Sequence, residues 1–134
     1  PSTRLMKHKM IASERVPKAI GPYSQAVRYG NLLFCSGQIA LDPATMQVVE
    51  GGIREQTIRV MENIKALLED AGSSMDQVLK CTIFLASMDD FAVVNEIYGS
   101  YLHSAKPARE TVAVRTLPKE VLIEMSATAY VNED

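Results

Sequence analysis

Arg109 and Glu124 are the side chains in this sequence best suited to chemistry. Arg109 sits in Pro107-Ala108-Arg109-Glu110-Thr111, at the opening of a strand-like run. Glu124 is the one acidic side chain in the otherwise uncharged run Val121 to Tyr130. There Val121, Ile123, Met125, Ala127 and Ala129 alternate with Leu122, Glu124, Ser126 and Thr128, the period of a strand with one apolar face. A carboxylate among such neighbours is costly unless water or a partner reaches it. If the two runs pair, Arg109 lies beside Glu124. A forked cation near an acid, in a partly apolar pocket, suits a small carboxylate substrate and a proton-transfer group. Plainer roles fit the same spacing: Arg109 in a surface ion pair, for instance with Glu110, and Glu124 as an edge-strand carboxylate facing water.

Three further stretches carry usable groups. Gly21-Pro22-Tyr23-Ser24-Gln25 is a turn bearing a phenol, and Tyr23 either packs on the body or rides a loop that closes over a pocket. Ser36-Gly37-Gln38 ends an apolar run. Glycine there lets a ligand approach the backbone N–H, and it equally permits a bulge or bend. Asn95 falls beside the apolar stripe of a helical segment, either aimed at a site or solvated.

The elements that must position these groups follow from hydrophobic period. Val16 to Gln25 is rich in Pro and Gly and reads as loop. Gly30-Asn31 separates Ala26–Tyr29 from Leu32–Ser36, a hairpin pattern. Asp42 to Thr45 reads as a loop around Pro43. After Gly51-Gly52, the residues Thr57, Val60, Met61, Ile64, Leu67, Leu68 and Ala71 recur at helical spacing, with Gly72 as the stop. Val78 to Ala86 reads as a strand. Ser87 and Asp90 resemble a capping box. They precede a second helix with Phe91, Val94, Tyr98 and Tyr101 on one face. The last strands, about Arg109–Leu117 and Val121–Tyr130, join at a turn with Pro118. This order predicts an α+β fold: one mixed sheet with two helices on one face. The other face keeps Phe84 and Leu122, and an uncovered apolar sheet face points to burial in an oligomer.

Composition narrows the partners. A chain of 134 residues fits one domain, with residues 1–10 expected as a flexible N-terminal segment and 11–134 as a single folded unit. At 47% hydrophobic and 22% charged it reads as globular. A net charge of −2 with no long basic block argues against nucleic acid as the main partner. No run approaches the roughly 20 apolar residues of a membrane helix. Arg4, Lys7, His8 and Lys9 occur without an acid, as in a solvated tail or the remnant of a mitochondrial targeting segment. The expected location is cytoplasmic, with the mitochondrion as the alternative. Cys35 and Cys81 sit in apolar runs and read as buried free thiols. His8 and His103 lack metal-ligand spacing, so no metal centre is expected.

Five motifs occur here in one order: Pro17-x-Ala19-x-Gly21-Pro22-Tyr23-Ser24-Gln25-Ala26, Ser36-Gly37-Gln38-Ile39, Val94-Asn95-Glu96-x-Tyr98, Pro107-Ala108-Arg109 and Leu117-Pro118-Lys119-x-x-x-x-Glu124. Together, over roughly Ile11 to Val131, they closely resemble the Rid family of reactive intermediate deaminases, also called the YjgF family. The resemblance implies a chorismate-mutase-like fold, a homotrimer whose sheets line a central barrel, and active sites between subunits. It implies hydrolysis of enamine and imine intermediates, such as 2-aminoacrylate and 2-aminocrotonate, to 2-keto acids and ammonia, with no cofactor. By the same resemblance Arg109 grips the substrate carboxylate and Glu124 activates water. Tyr23 covers the substrate, Ser36 and Gly37 shape the pocket with Asn95 nearby, and the Thr111 backbone lines it. Many members carry cysteine where this chain has Thr111, so no thiol role transfers. Lys106 replaces an aromatic residue often found before Pro-Ala-Arg, which alters the cleft lining. Two other classes of function are a keto-acid-sensing binding trimer and the RNA cleavage or translation inhibition attributed to some relatives.

Overall fold

The alternation at Ile123, Met125, Ala127 and Ala129 is the seam of the core: all four are buried, while Leu122, Glu124, Ser126 and Thr128 between them are only half-buried. The computed structural model describes residues 6–132. In chain order the elements are β1 (Lys9–Ile11), β2 (Ala26–Tyr29), β3 (Leu32–Gln38), α1 (Ile53–Asp70), β4 (Val78–Leu85), α2 (Phe91–Leu102), β5 (Ala108–Ala113) and β6 (Ile123–Tyr130). They build one six-stranded sheet in the order β1-β2-β3-β6-β4-β5. Only β4 and β5 run parallel, because α2 carries the chain from one to the other. The mixed α+β sheet with two helices is therefore the architecture found.

Helix α1 forms where the sequence repeats every third or fourth residue. Its start is fixed by Glu55, whose Oε1 accepts from the Gly52 N–H at 2.9 Å. Its end is fixed by Gly72, at φ 87°, where the Ser73 N–H donates back to Leu68 O at 2.8 Å. The stripe Thr57, Val60, Met61, Ile64, Leu67 and Leu68 is buried against the sheet. A fully buried side chain of this size stabilises by roughly 1.5–3 kcal/mol. Two polar residues share that face and are used as anchors. Asn63 donates to Leu41 O at 3.0 Å, and Gln56 Oε1 accepts from the Leu122 N–H at 2.9 Å. The Gln56 contact fixes the chain just before β6, two residues ahead of Glu124.

Four expectations change in detail. Lys9 and Met10 do not belong to a free tail: they pair with Arg28 and Val27, so β1 extends the hairpin. Residues 1–5 of that expected segment lie outside the described residues. Ser87 Oγ accepts from the Asp89 N–H at 3.1 Å and caps a short 3-10 turn, Met88–Asp90, rather than α2 itself. The strand after Arg109 ends at Ala113, and a further 3-10 turn, Pro118–Glu120, precedes β6. Finally, β5 does not pair with β6, because β4 lies between them.

Candidate active site

The first half-site is built where β3 bulges. Cys35 pairs with Ala127 and Gln38 with Met125, so Ser36 and Gly37 together face the single residue Ser126. The bulge aims Gly37 at Glu124. A methyl group on Gly37 would lie 2.3 Å from Glu124 Oε2 and 3.0 Å from its Cδ, so the carboxylate rests against bare backbone. Glu124 stands opposite Phe84 on the sheet face that carries no helix. It is half-buried and has no hydrogen-bond or ion-pair partner among the described residues. Burial raises its pKa above the ordinary carboxylate range.

A cleft of about 460 Å³ opens over this acid, lined by Tyr23, Ser36, Gly37, Lys119 and Glu124 among others. Tyr23 is more than half exposed at its rim. The loop that carries it is stitched to β3 twice: Ser36 Oγ donates to Ser24 O at 2.6 Å, and the Ser36 N–H donates to Gln25 O at 2.9 Å. Gln25 is buried, and its Nε2 donates to Val16 O at 3.2 Å and Pro17 O at 2.8 Å. It thereby holds the loop that contributes Pro17 and Lys18 to the cleft wall. Opposite, Lys119 and Glu120 both sit at φ 55°, a left-handed conformation rare outside glycine and asparagine.

The second half-site surrounds Arg109. Nη1 donates to Asn95 Oδ1 at 2.8 Å. The guanidinium lies 4.8 Å from the Tyr98 ring centre and 5.6 Å from that of Phe91. The three contacts come from α2 and hold the guanidinium in place, with its remaining donors free of any carboxylate among the described residues. A cavity of about 470 Å³ opens beside it, lined by Asn95, Tyr98, His103, Lys106 and Arg109 among others.

Within one chain the two half-sites do not meet. Arg109 pairs with Cys81, whose side chain is buried in the core, and reaches the helix side of the sheet. Glu124 pairs with Phe84 on the opposite face, and β4 separates their strands. The expectation that Arg109 lies beside Glu124 in a strand pair is thus corrected. Parity along β4 decides it, since Cys81 and Phe84 are three residues apart and point to opposite faces.

A family model described as Endoribonuclease L-PSP matches residues 13–131. The chain belongs to this family, the Rid proteins of the sequence motifs. A RutC family protein of Pyrococcus abyssi is 54% identical over 93% of this chain and 98% of its own length. A 2-iminobutanoate/2-iminopropanoate deaminase of Mus musculus is 41% identical, covering 90% of each chain. The crystal structure of the Rid-family protein YyfA from Yersinia pestis superposes with a TM-score of 0.91 at 41% identity, over 93% of this chain and 100% of that one.

In this Rid protein, Tyr23, Ser36, Gly37 and Glu124 gather in one cleft, and Asn95 and Arg109 in the other. Thr111 lines neither. It lies two residues beyond Arg109, opposite Ile83, with its hydroxyl buried and without a hydrogen-bond partner. Ser36 acts as a tether rather than a free hydroxyl. Sequence reasoning missed the clamp made by Gln25 and the lining residues Lys18 and His103. It also missed the left-handed turn at Lys119, because lysine and glutamate carry no local signal for that conformation. The thiols of Cys35 and Cys81 are buried, which pushes them up to about 12 and about 11. Both behave as apolar packing.

Proposed function

We propose that this Rid protein hydrolyses reactive enamine and imine intermediates, among them 2-aminoacrylate and 2-aminocrotonate, to 2-keto acids and ammonia. The sites are shared between copies of a homotrimer. The carrying observation is the division of the machinery: an unpartnered carboxylate on one sheet face and an uncommitted guanidinium fork on the other. A second copy unites them when the Glu124 cleft of one chain meets the Arg109 cleft of its neighbour. The open sheet face supports the assembly, since Leu32, Phe34, Val112 and Tyr130 are each more than two-fifths exposed there. The mouse relative named as an imine deaminase, 41% identical, supports the reaction class.

The chemistry needs few groups. The enamine first tautomerises to the imine, whose protonated form has an electrophilic C2. Arg109 binds the substrate carboxylate with paired donors and fixes C2 in place. Glu124, its pKa raised by burial, takes a proton from water as the water oxygen bonds to C2. The resulting carbinolamine receives that proton on nitrogen from Glu124. The C–N bond then breaks, ammonia leaves, and the hydroxyl proton passes back to Glu124 or to water as the ketone forms. Tyr23 covers the substrate from the rim.

The test is a coupled assay. A serine or threonine dehydratase supplies the enamine, semicarbazide traps free imine, and keto-acid formation is followed with and without the protein. Faster keto-acid formation at the expense of semicarbazone supports the reading. No acceleration with either precursor, from a folded oligomer, overturns it in favour of a keto-acid-binding trimer.

A further inference from the structure

We propose that Lys106 makes this protein favour imines that carry a second carboxylate, such as the imine of aspartate, by holding that group beside the Arg109 clamp. The proposal rests on the deaminase reading and deepens it. The Arg109 cavity contains two basic side chains, Lys106 and Arg109, with His103 at its wall, and no Asp or Glu of the same chain lines it. Neither Lys106 nor Arg109 has an ion-pair partner among the described residues.

The two cations are not redundant. Arg109 is fixed by Asn95 and the two aromatic rings, and its free edge matches one carboxylate in a bidentate fork. A substrate with one carboxylate therefore leaves Lys106 without a counter-charge from the substrate or from the cavity lining of its own chain. A dicarboxylic imine gives both cations a partner. Lys106 is also held in position by its backbone. It sits at φ 44°, with its N–H donating to Leu102 O at 3.0 Å, and Pro107 follows directly. The side chain thus starts from a fixed point at the cavity wall, three residues ahead of Arg109. The reaction is unchanged in balance: iminium plus water gives keto acid plus ammonium, and the second carboxylate takes no part in bond making.

A purely structural role is the rival. Lys106 and His103 lie at the C-terminal end of α2, where cations complement the helix dipole.

The experiment compares the intact oligomer with Lys106→Met, which keeps the stem and removes the charge. Alanine and aspartate imines are generated by the matching amino-acid oxidases, with semicarbazide in competition. The readout is the ratio of kcat/KM for the aspartate imine to that for the alanine imine. The expected result is a wild-type ratio above one that falls about five- to tenfold in Lys106→Met, the scale of one charge-assisted contact. Lys106→Arg, which restores the charge, returns most of the ratio. Should Lys106→Met fail to fold, Lys106→Gln takes its place. An unchanged ratio, with or without a lower melting temperature, overturns the proposal and leaves Lys106 as a helix-end cation. Hydrolysis of the alanine imine alone also overturns it while the deaminase reading stands. Hydrolysis of neither imine removes both.

Discussion

Gly37→Ala isolates the placement of Glu124 from its identity. The added methyl would meet Glu124 Oε2 at 2.3 Å, whereas ordinary contact begins at 3.4 Å, so the carboxylate must retreat by about 1.1 Å. The clash falls on the far end of a flexible side chain, with Cγ already at 3.3 Å, so rotation about the Glu124 side-chain bonds relieves it. Gly37 is not in a positive-φ conformation, and alanine fits its backbone. The stability loss is therefore modest, about 0.5–1.5 kcal/mol for an off-rotamer glutamate. The catalytic loss is larger, because a displacement of about 1 Å at a reacting group lowers turnover on the order of 10²-fold. Urea unfolding gives the first quantity and the dehydratase-coupled assay the second. A folded Gly37→Ala protein with turnover within about twofold of wild type would refute the reasoning, since the scale of misplacement argued here could not then hold.

Arg109→Ala removes the carboxylate fork and lowers kcat/KM roughly 10- to 100-fold, as expected for lost charge-assisted hydrogen bonds, without changing the oligomeric state. Sedimentation and the coupled assay check the two halves of that statement. Glu124→Gln lowers kcat roughly 10²–10⁴-fold, the scale of a lost proton-transfer group, with a smaller change in KM. In the wild type, activity falls as pH drops through the raised pKa of Glu124, and Glu124→Gln lacks that limb. Stability has the opposite sign. A carboxyl group with a raised folded pKa lends stability below its ordinary pKa and loses it as pH rises through the raised value. Glu124→Gln should therefore resist urea better than wild type near neutral pH, with the gap closing in acid.

Local pattern made much of the fold legible. The helical stripe from Thr57 to Ala71, the hairpin around Gly30-Asn31 and the alternation at Ile123 to Ala129 each need only a few neighbours to be read. Strand β1 escaped because three residues with exposed Lys9 and Met10 carry no alternation. The pairing of β6 escaped for a deeper reason. The same alternating face is satisfied whether β6 lies beside β5 or β4, and only the crossover through α2 decides it. The faces themselves follow from strand parity, since Arg109 pairs with core-facing Cys81 and Glu124 with Phe84 on the other face. The buried amides of Gln25, Gln56 and Asn63 were equally hidden, because these residue types are mostly exposed and nothing local marks the exceptions. Gly37 was legible only as an alternative between a bulge and a close approach, and the structure contains both.

Mixing two disabled proteins tests the shared site most directly. Arg109→Ala and Glu124→Gln proteins, each strongly impaired, are unfolded together at equal amounts and refolded. If each site takes Arg109 from one chain and Glu124 from its neighbour, random assembly rebuilds about a quarter of the sites with both groups intact, and activity returns to about that fraction of wild type. If both groups act within a single chain, the mixture stays as inactive as its parents, and the account is contradicted.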